Sequence, residues 1–175
     1  MTYVTENSDI EQSPLEAVHS MSSEEAKIAD ARAIIDKFDD TEETGTLADA
    51  FYQAFLHGYG QPISEPGDFK VLLPIYCATI PDKEVLQDKI RHFCKSKGKE
   101  VIEETFSSFK ERGLISSDEL GWLYYEGILV SFHYYEEDMS ENRINVMTGG
   151  NMGNSYTFEK KDNAWSLISF GNWIS

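Results

Sequence analysis

The spacing of apolar residues changes near Asp118, and this change constrains the fold more than any other feature of the chain. Before it, apolar residues recur at helical intervals between capping signals; after it, aromatic and β-branched residues run without a cap. "SSEEAKIADARAIIDKF" (22–38) opens with a serine, carries Glu24 and Glu25 in its first turn and repeats Ile28, Ala31, Ile34, Ile35 and Phe38 on one side. It reads as an amphipathic helix. "TLADAFYQAFLHGYG" (46–60) places Leu47, Phe51, Ala54 and Phe55 on one stripe and predicts a second helix ending near Gly58. "QPISEPG" (61–67) reads as a loop. "DFKVLLPIYCATI" (68–80) is an apolar run interrupted by Pro74, which predicts a kinked helix. "PDKEVLQDKIRHFCKSKG" (81–98) has Pro81 at a first helical position and Lys95, Lys97 and Gly98 at its end. "KEVIEETFSSFKERG" (99–113) completes the helical half, closed by Gly113.

Beyond Asp118, "GWLYYEGILVSFHYYEED" (121–138) predicts one long bent strand, or two hinged at Gly127. "RINVMT", "NSYTFEKK" and "AWSLISFGNWI" follow as strands, and "KKDNAW" (160–165) is a hairpin signal. Helices over about 22–113, then an antiparallel meander over about 120–174, define an α+β protein.

Charge narrows the partners. The chain has 31 acidic and 15 basic residues, a formal net charge of -16, which repels nucleic acid and anionic lipid and favours a basic partner. Residues 1–43 hold twelve acids against Lys27, Arg32 and Lys37. With few large apolar side chains, residues 1–21 read as an acidic, disordered tail, leaving 22–175 as a single α+β domain. No apolar run has the length to span a bilayer, so no membrane insertion is expected. As written the chain reads as cytoplasmic; a removed signal peptide would leave the same polar beginning, so a periplasmic location stays open. If Cys77 and Cys94 lie on two helices that turn back at Pro81, their axial offset of roughly 13 Å exceeds the reach of a disulfide. Both read as free thiols.

The glycine-rich "TGGNMGNS" (148–155) invites comparison with a phosphate-binding loop. Such a loop joins a strand to a helix and carries a lysine, whereas this one lies between two strand patterns. It reads as a wide hairpin turn in which Gly149, Gly150 and Gly153 supply positive φ.

Candidate site residues concentrate in the strand pattern that follows Trp122. One face carries Trp122, Tyr124, Ile128, Val130, Phe132 and Tyr134; the other carries Leu123, Tyr125, Gly127, Leu129, Ser131, His133 and Tyr135. His133 with Tyr125 and Tyr135 is the candidate acid–base set, because imidazole titrates near neutral pH and a phenol donates to a developing oxyanion. No metal site is expected: His92 and Cys94 fall on different faces of a helix, and His133 and Glu137 lack a second histidine at ligand spacing. No cofactor is expected either.

"FYQAFL" with Phe51 and Tyr52, then Leu73, Tyr76 and Thr79 leading into a leucine-bearing helix, then "YTFEKKDNAWSLISFGNW" with Trp165 and Leu167, resembles a bacterial domain family of unknown function in the nuclear transport factor 2-like (cystatin-like) superfamily. The resemblance spans roughly residues 45–173; the acidic N-terminal segment and the "GGNMGN" turn depart from it. It implies a curved antiparallel sheet wrapped by helices around a cone-shaped cavity. Members include small isomerases and dehydratases, ligand binders and catalytically empty adaptors, and related domains protect cells against toxins secreted by their kin. The expectation is a non-catalytic immunity protein that neutralises a cognate toxin. The alternative is a small-molecule-binding or isomerase/dehydratase-type cone. The expected partner surface comprises Tyr134, Tyr135, Glu136, Glu137, Asp138 and Glu141, with Asn151 and Met152 as a lip.

Overall fold

A computed structural model describes residues 22–75, 80, 82–118, 121–149 and 152–174. The expected tail over 1–21, Cys77, Gly150 and Asn151 lie outside the described residues.

Helix α1 (Ser23–Phe38) forms where its local signals place it. Ser22 caps it, its hydroxyl accepting from the Glu25 amide at 3.1 Å, an interaction whose loss costs about 1 kcal/mol. Ala31, Ile35 and Phe38 are buried, while Ile34 is exposed. Helix α2 (Leu47–Ser64) runs past the predicted end at Gly58 and includes Pro62. Its glycines serve packing rather than termination. A Cβ on Gly60 would lie 2.8 Å from the Phe38 ring, so the bare backbone there lets α1 and α2 approach.

The largest departure concerns residues 68–80. They contain strand β1 (Lys70–Pro74) in place of the kinked helix. Helix α3 (Lys83–Ser96) then leads to β2 (Val101–Glu104), which pairs parallel with β1 from Val71↔Val101 to Pro74↔Glu104. A third strand, β5 (Gly127–Leu129), pairs parallel with the other side of β1. The expectation of antiparallel strands alone is therefore corrected, and with it the single helix over 99–113. There β2 gives way at Thr105, whose hydroxyl caps the short helix α4 (Phe106–Glu111) through the Ser108 amide at 3.1 Å. β1 reads as continuous apolar sequence because both its faces are covered. Val71 and Leu73 enter the main core, and Leu72 enters a second cluster with Phe109, Ile115 and Tyr124.

The stretch over 121–138, expected as one long bent strand or two hinged at Gly127, is divided further, although one strand does begin at Gly127. β3 (Ser116–Asp118) and β4 (Gly121–Leu123) form a small hairpin, the chain turns at Tyr125 and Glu126, and β5 and β6 (Phe132–His133) follow. A 3-10 turn (Glu136–Asp138) then leads into β7 (Arg143–Gly149), β8 (Met152–Lys161) and β9 (Ala164–Ile174). β6, β7, β8 and β9 make the expected antiparallel sheet. Its β8–β9 hairpin turns at Asp162 and Asn163, both with positive φ.

The two sheets meet where one strand changes partners. The Val130 amide donates to Leu72 of β1 at 3.0 Å, whereas the Ser131 carbonyl accepts from Gly149 of β7 at 3.3 Å. α2 lies across the antiparallel sheet and α1 covers β9. The shared core includes Phe55 edge-on to Phe93 at 5.6 Å and Phe51 edge-on to Phe132 at 5.7 Å. Such pairs contribute about 0.5–1.5 kcal/mol each beyond their area. Cys94 is a free, buried thiol in this core.

Candidate functional site

Alternation along β5 and β6 sends Val130 and Phe132 into the core beneath α2 and leaves Leu129, Ser131 and His133 on the opposite, outer face. Over this face sit the start of α4 and the β3–β4 hairpin. Between them is a cavity of about 590 Å³, lined by Pro74, Ile75, Thr105, Phe106, Ser107, Gly121, Trp122, Leu129, Val130, Ser131, Phe132, His133 and Gly149. The Trp122 and Phe106 rings meet edge-on at 5.2 Å to form one wall. At the other end His133 Nε2 lies 3.4 Å from Ser131 Oγ and 3.2 Å from the Gly149 carbonyl oxygen, while the His133 ring packs 5.8 Å from that of Trp173.

The cavity contains His133 from the candidate acid–base set, but neither tyrosine lines it. Tyr125 sits on the turn before β5, 78% exposed, and Tyr135 is 57% exposed beyond β6. The division of the predicted strand into β4, a turn, β5 and β6 separates residues that a continuous strand would align.

The expected partner surface is also divided. Glu136, Glu137 and Asp138 form the exposed 3-10 turn at the Arg143 end of β7, with Glu141 exposed beside it. Met152 is exposed at the other end of β7, next to Gly149. Seven residues of strand separate the two groups, about 20 Å at about 3.3 Å per residue. Tyr134 packs edge-on to Phe51 at 5.5 Å and is half-buried, so its ring belongs to the core side. Asn151 lies outside the described residues. The glycine-rich stretch joins two antiparallel strands, Gly149 pairing with Gly153, and a strand rather than a helix follows it. Gly149 has φ +102°, whereas Gly153 instead lies close to backbone, where a Cβ would meet the Thr148 carbonyl oxygen.

Among the described residues no group of three or more His, Cys, Asp or Glu is placed to hold a metal ion. Exposed His92 and buried Cys94 point to different sides of α3. The structure does pair a histidine with a tyrosine where the sequence carried no signal. His57 Nδ1 of α2 lies 2.6 Å from the Tyr156 hydroxyl of β8, with Phe170 packed on both rings. Burial lowers the His57 pKa and pushes the Tyr156 phenol up to about 12. Their 99-residue separation explains why no local motif announces the pair. The same holds for the cavity wall, since nothing in "TFS" at 105–107 marks it as the neighbour of Trp122 and Ser131.

Comparison of the chain with protein-family models, with curated proteins and with solved structures finds no match.

Proposed function

We propose that the protein is a non-catalytic binding protein of the immunity type, which neutralises a cognate toxin by occupying its basic surface. The observation that carries this reading is where the charge lies. Among the described residues that line the cavity of about 590 Å³, His133 is the one titratable side chain and none is a carboxylate, so these residues assemble no acid–base pair. Acids that do face solvent include Asp36, Asp39, Asp40, Glu42 and Glu43 along the end of α1 and the loop after it, and Glu136, Glu137 and Asp138 beside Tyr135. Exposed acids speed encounter with a basic protein, and nearby aromatics hold it. We place the fold in the nuclear transport factor 2-like group, with a cone whose interior is packed by α2. Support for this comes from helices packed on the antiparallel sheet and from Phe132 and Trp165, both buried in the core.

The test is to express the neighbouring gene with and without this one, scoring survival, and to measure binding of the purified pair by calorimetry. The expected result is rescue, direct binding and association that slows with salt. Charge reversal of Glu136 and Glu137 slows it further. Survival independent of this protein, with no binding to the neighbour's product, removes the reading.

The cavity favours a second reading, small-molecule binding. Isomerase or dehydratase chemistry there would need a partner for His133 that neither Tyr125 nor Tyr135 supplies.

A further inference from the structure

We infer that the cavity between α4, the β3–β4 hairpin and the β5–β6 junction binds an uncharged, largely apolar small molecule carrying one hydrogen-bonding group. The site lies on the face of the sheet opposite α2, and its described lining holds no Asp, Glu, Lys or Arg, so it stands independently of a basic protein partner. Its volume of about 590 Å³ falls within the range of about 300–1,000 Å³ typical of ligand pockets.

Three observations define the ligand. None of the described lining residues is Asp, Glu, Lys or Arg, in a chain whose formal charge is -16. A charged ligand would surrender its hydration there with no opposing charge among these residues, the Lys110 ammonium lying over the Trp122 ring and outside the lining, and an anion would also meet the field of the whole protein. Second, Ile75 and Trp122, two of the large apolar side chains that the fold leaves exposed, both line this one cavity. Apolar surface gathered in one concavity is the mark of a binding site rather than of scattered exposure. The indole is held in place by Phe106 at 5.2 Å and by the Lys110 ammonium over its ring at 4.9 Å.

Third, the hydrogen-bonding groups lie at the opposite end. The Gly149 carbonyl oxygen, 3.2 Å from His133 Nε2, is an acceptor and so selects the Nε2–H tautomer of the neutral ring. That leaves Nδ1 as an acceptor and the hydrogen of the Ser131 hydroxyl as a donor. A ligand with one amine or hydroxyl group at its end and an aromatic or aliphatic body against Trp122 matches both halves.

The test uses the full chain and N-phenyl-1-naphthylamine, an uncharged amine that fluoresces in apolar surroundings. Saturable binding at one site is expected, displaced by decanol but not by decanoate at equal concentration. Ser131→Phe fills the floor of the cavity and Trp122→Ala removes its wall; each weakens binding by about tenfold or more. Both variants should keep the wild-type circular dichroism spectrum, since the backbone bonds of Ser131 do not involve its side chain and Trp122 sits at the rim. If Ser131→Phe does not fold, Trp122→Ala decides alone. Absence of saturable binding, or wild-type affinity in the folded variants, overturns the site. Equal displacement by decanoate overturns its selectivity for uncharged ligands.

Discussion

The phenolic oxygen of Tyr59 holds both backbone groups of Ser131, accepting from its amide at 3.0 Å and donating to its carbonyl at 3.2 Å. Ser131 is where the chain leaves β1 and joins β7, and a strand that changes partners there has an amide without a ladder acceptor. The hydroxyl supplies it. Burial pushes the Tyr59 phenol up to about 12, so it remains a donor across the working range of pH. Tyr59→Phe keeps the ring contact with Phe55 and removes only this oxygen. The expected loss is about 1–3 kcal/mol, the cost of leaving a buried polar group unmade. Urea titration measures it, and an unchanged midpoint would show that water replaces the hydroxyl.

Lys89 and Asp49 are both nearly fully buried, with Nζ and carboxylate 3.5 Å apart. Together they tie down the loop after α1. Asp49 accepts from the Thr44 and Gly45 amides at 2.9 and 2.8 Å, and Lys89 donates to Thr41 Oγ1 and the Glu42 carbonyl at 2.8 and 2.9 Å. Removing one partner strands the other charge. Asp49→Ala and Lys89→Met should therefore each cost about 3–5 kcal/mol, while the double variant costs clearly less than the two together. Additive losses in a denaturant cycle would show that the pair is not coupled.

His57 should make the protein acid-sensitive in a defined direction. Its folded-state pKa is lowered by burial, so as pH falls through about 6.5 the unfolded chain takes up a proton before the folded one does. Its contribution is complete above the unfolded pKa and is lost as pH falls toward the folded pKa. The stability difference between wild type and His57→Gln should shrink between about pH 7.5 and about pH 5. Paired urea melts across that range test it, because carboxylate effects common to both proteins cancel. A difference independent of pH would contradict the assignment.

Cys94 should be inert until the core opens. It is buried, and desolvation pushes its thiol up to about 12, so no thiolate is present near pH 8. In a Cys77→Ser background, reaction with an aromatic disulfide reagent should follow the unfolding rate and accelerate with urea. Prompt reaction in buffer would mean that α3 separates from α2 far more readily than Phe93 packed on Phe55 implies.

Sequence reading succeeded where the determining interactions are local. Ser22, Glu25 and the spacing of Ala31, Ile35 and Phe38 lie within a few turns of one another and specify α1 without outside help. The β8–β9 hairpin was legible for the same reason, since Asp162 and Asn163 adopt the positive φ that the turn requires. In "VLLPI" no such signal exists, because a strand covered on both faces and a buried helical segment present the same apolar run. Glycine misled in α2 because Gly60 is shaped by the Phe38 ring from another helix rather than by its own backbone. The candidate site was legible only in part. Alternation puts Ser131, His133 and Tyr135 on one face of one strand, but the chain leaves the strand before reaching Tyr135.

The sequence by itself determined the order of elements after Pro74 only coarsely, the caps of α1, the closing hairpin and the acidic character of the surface, each a property of neighbouring residues or of composition. Tertiary structure decided that Lys70–Pro74 pairs parallel with two strands, that Tyr59 reaches a strand junction 72 residues away, and that Thr105, Trp122 and Ser131 surround one cavity. Those outcomes depend on which distant surfaces bury one another. A stretch of chain carries its own periodicity and capping groups, but its strand partners and the groups that satisfy its backbone are supplied by residues far along the sequence.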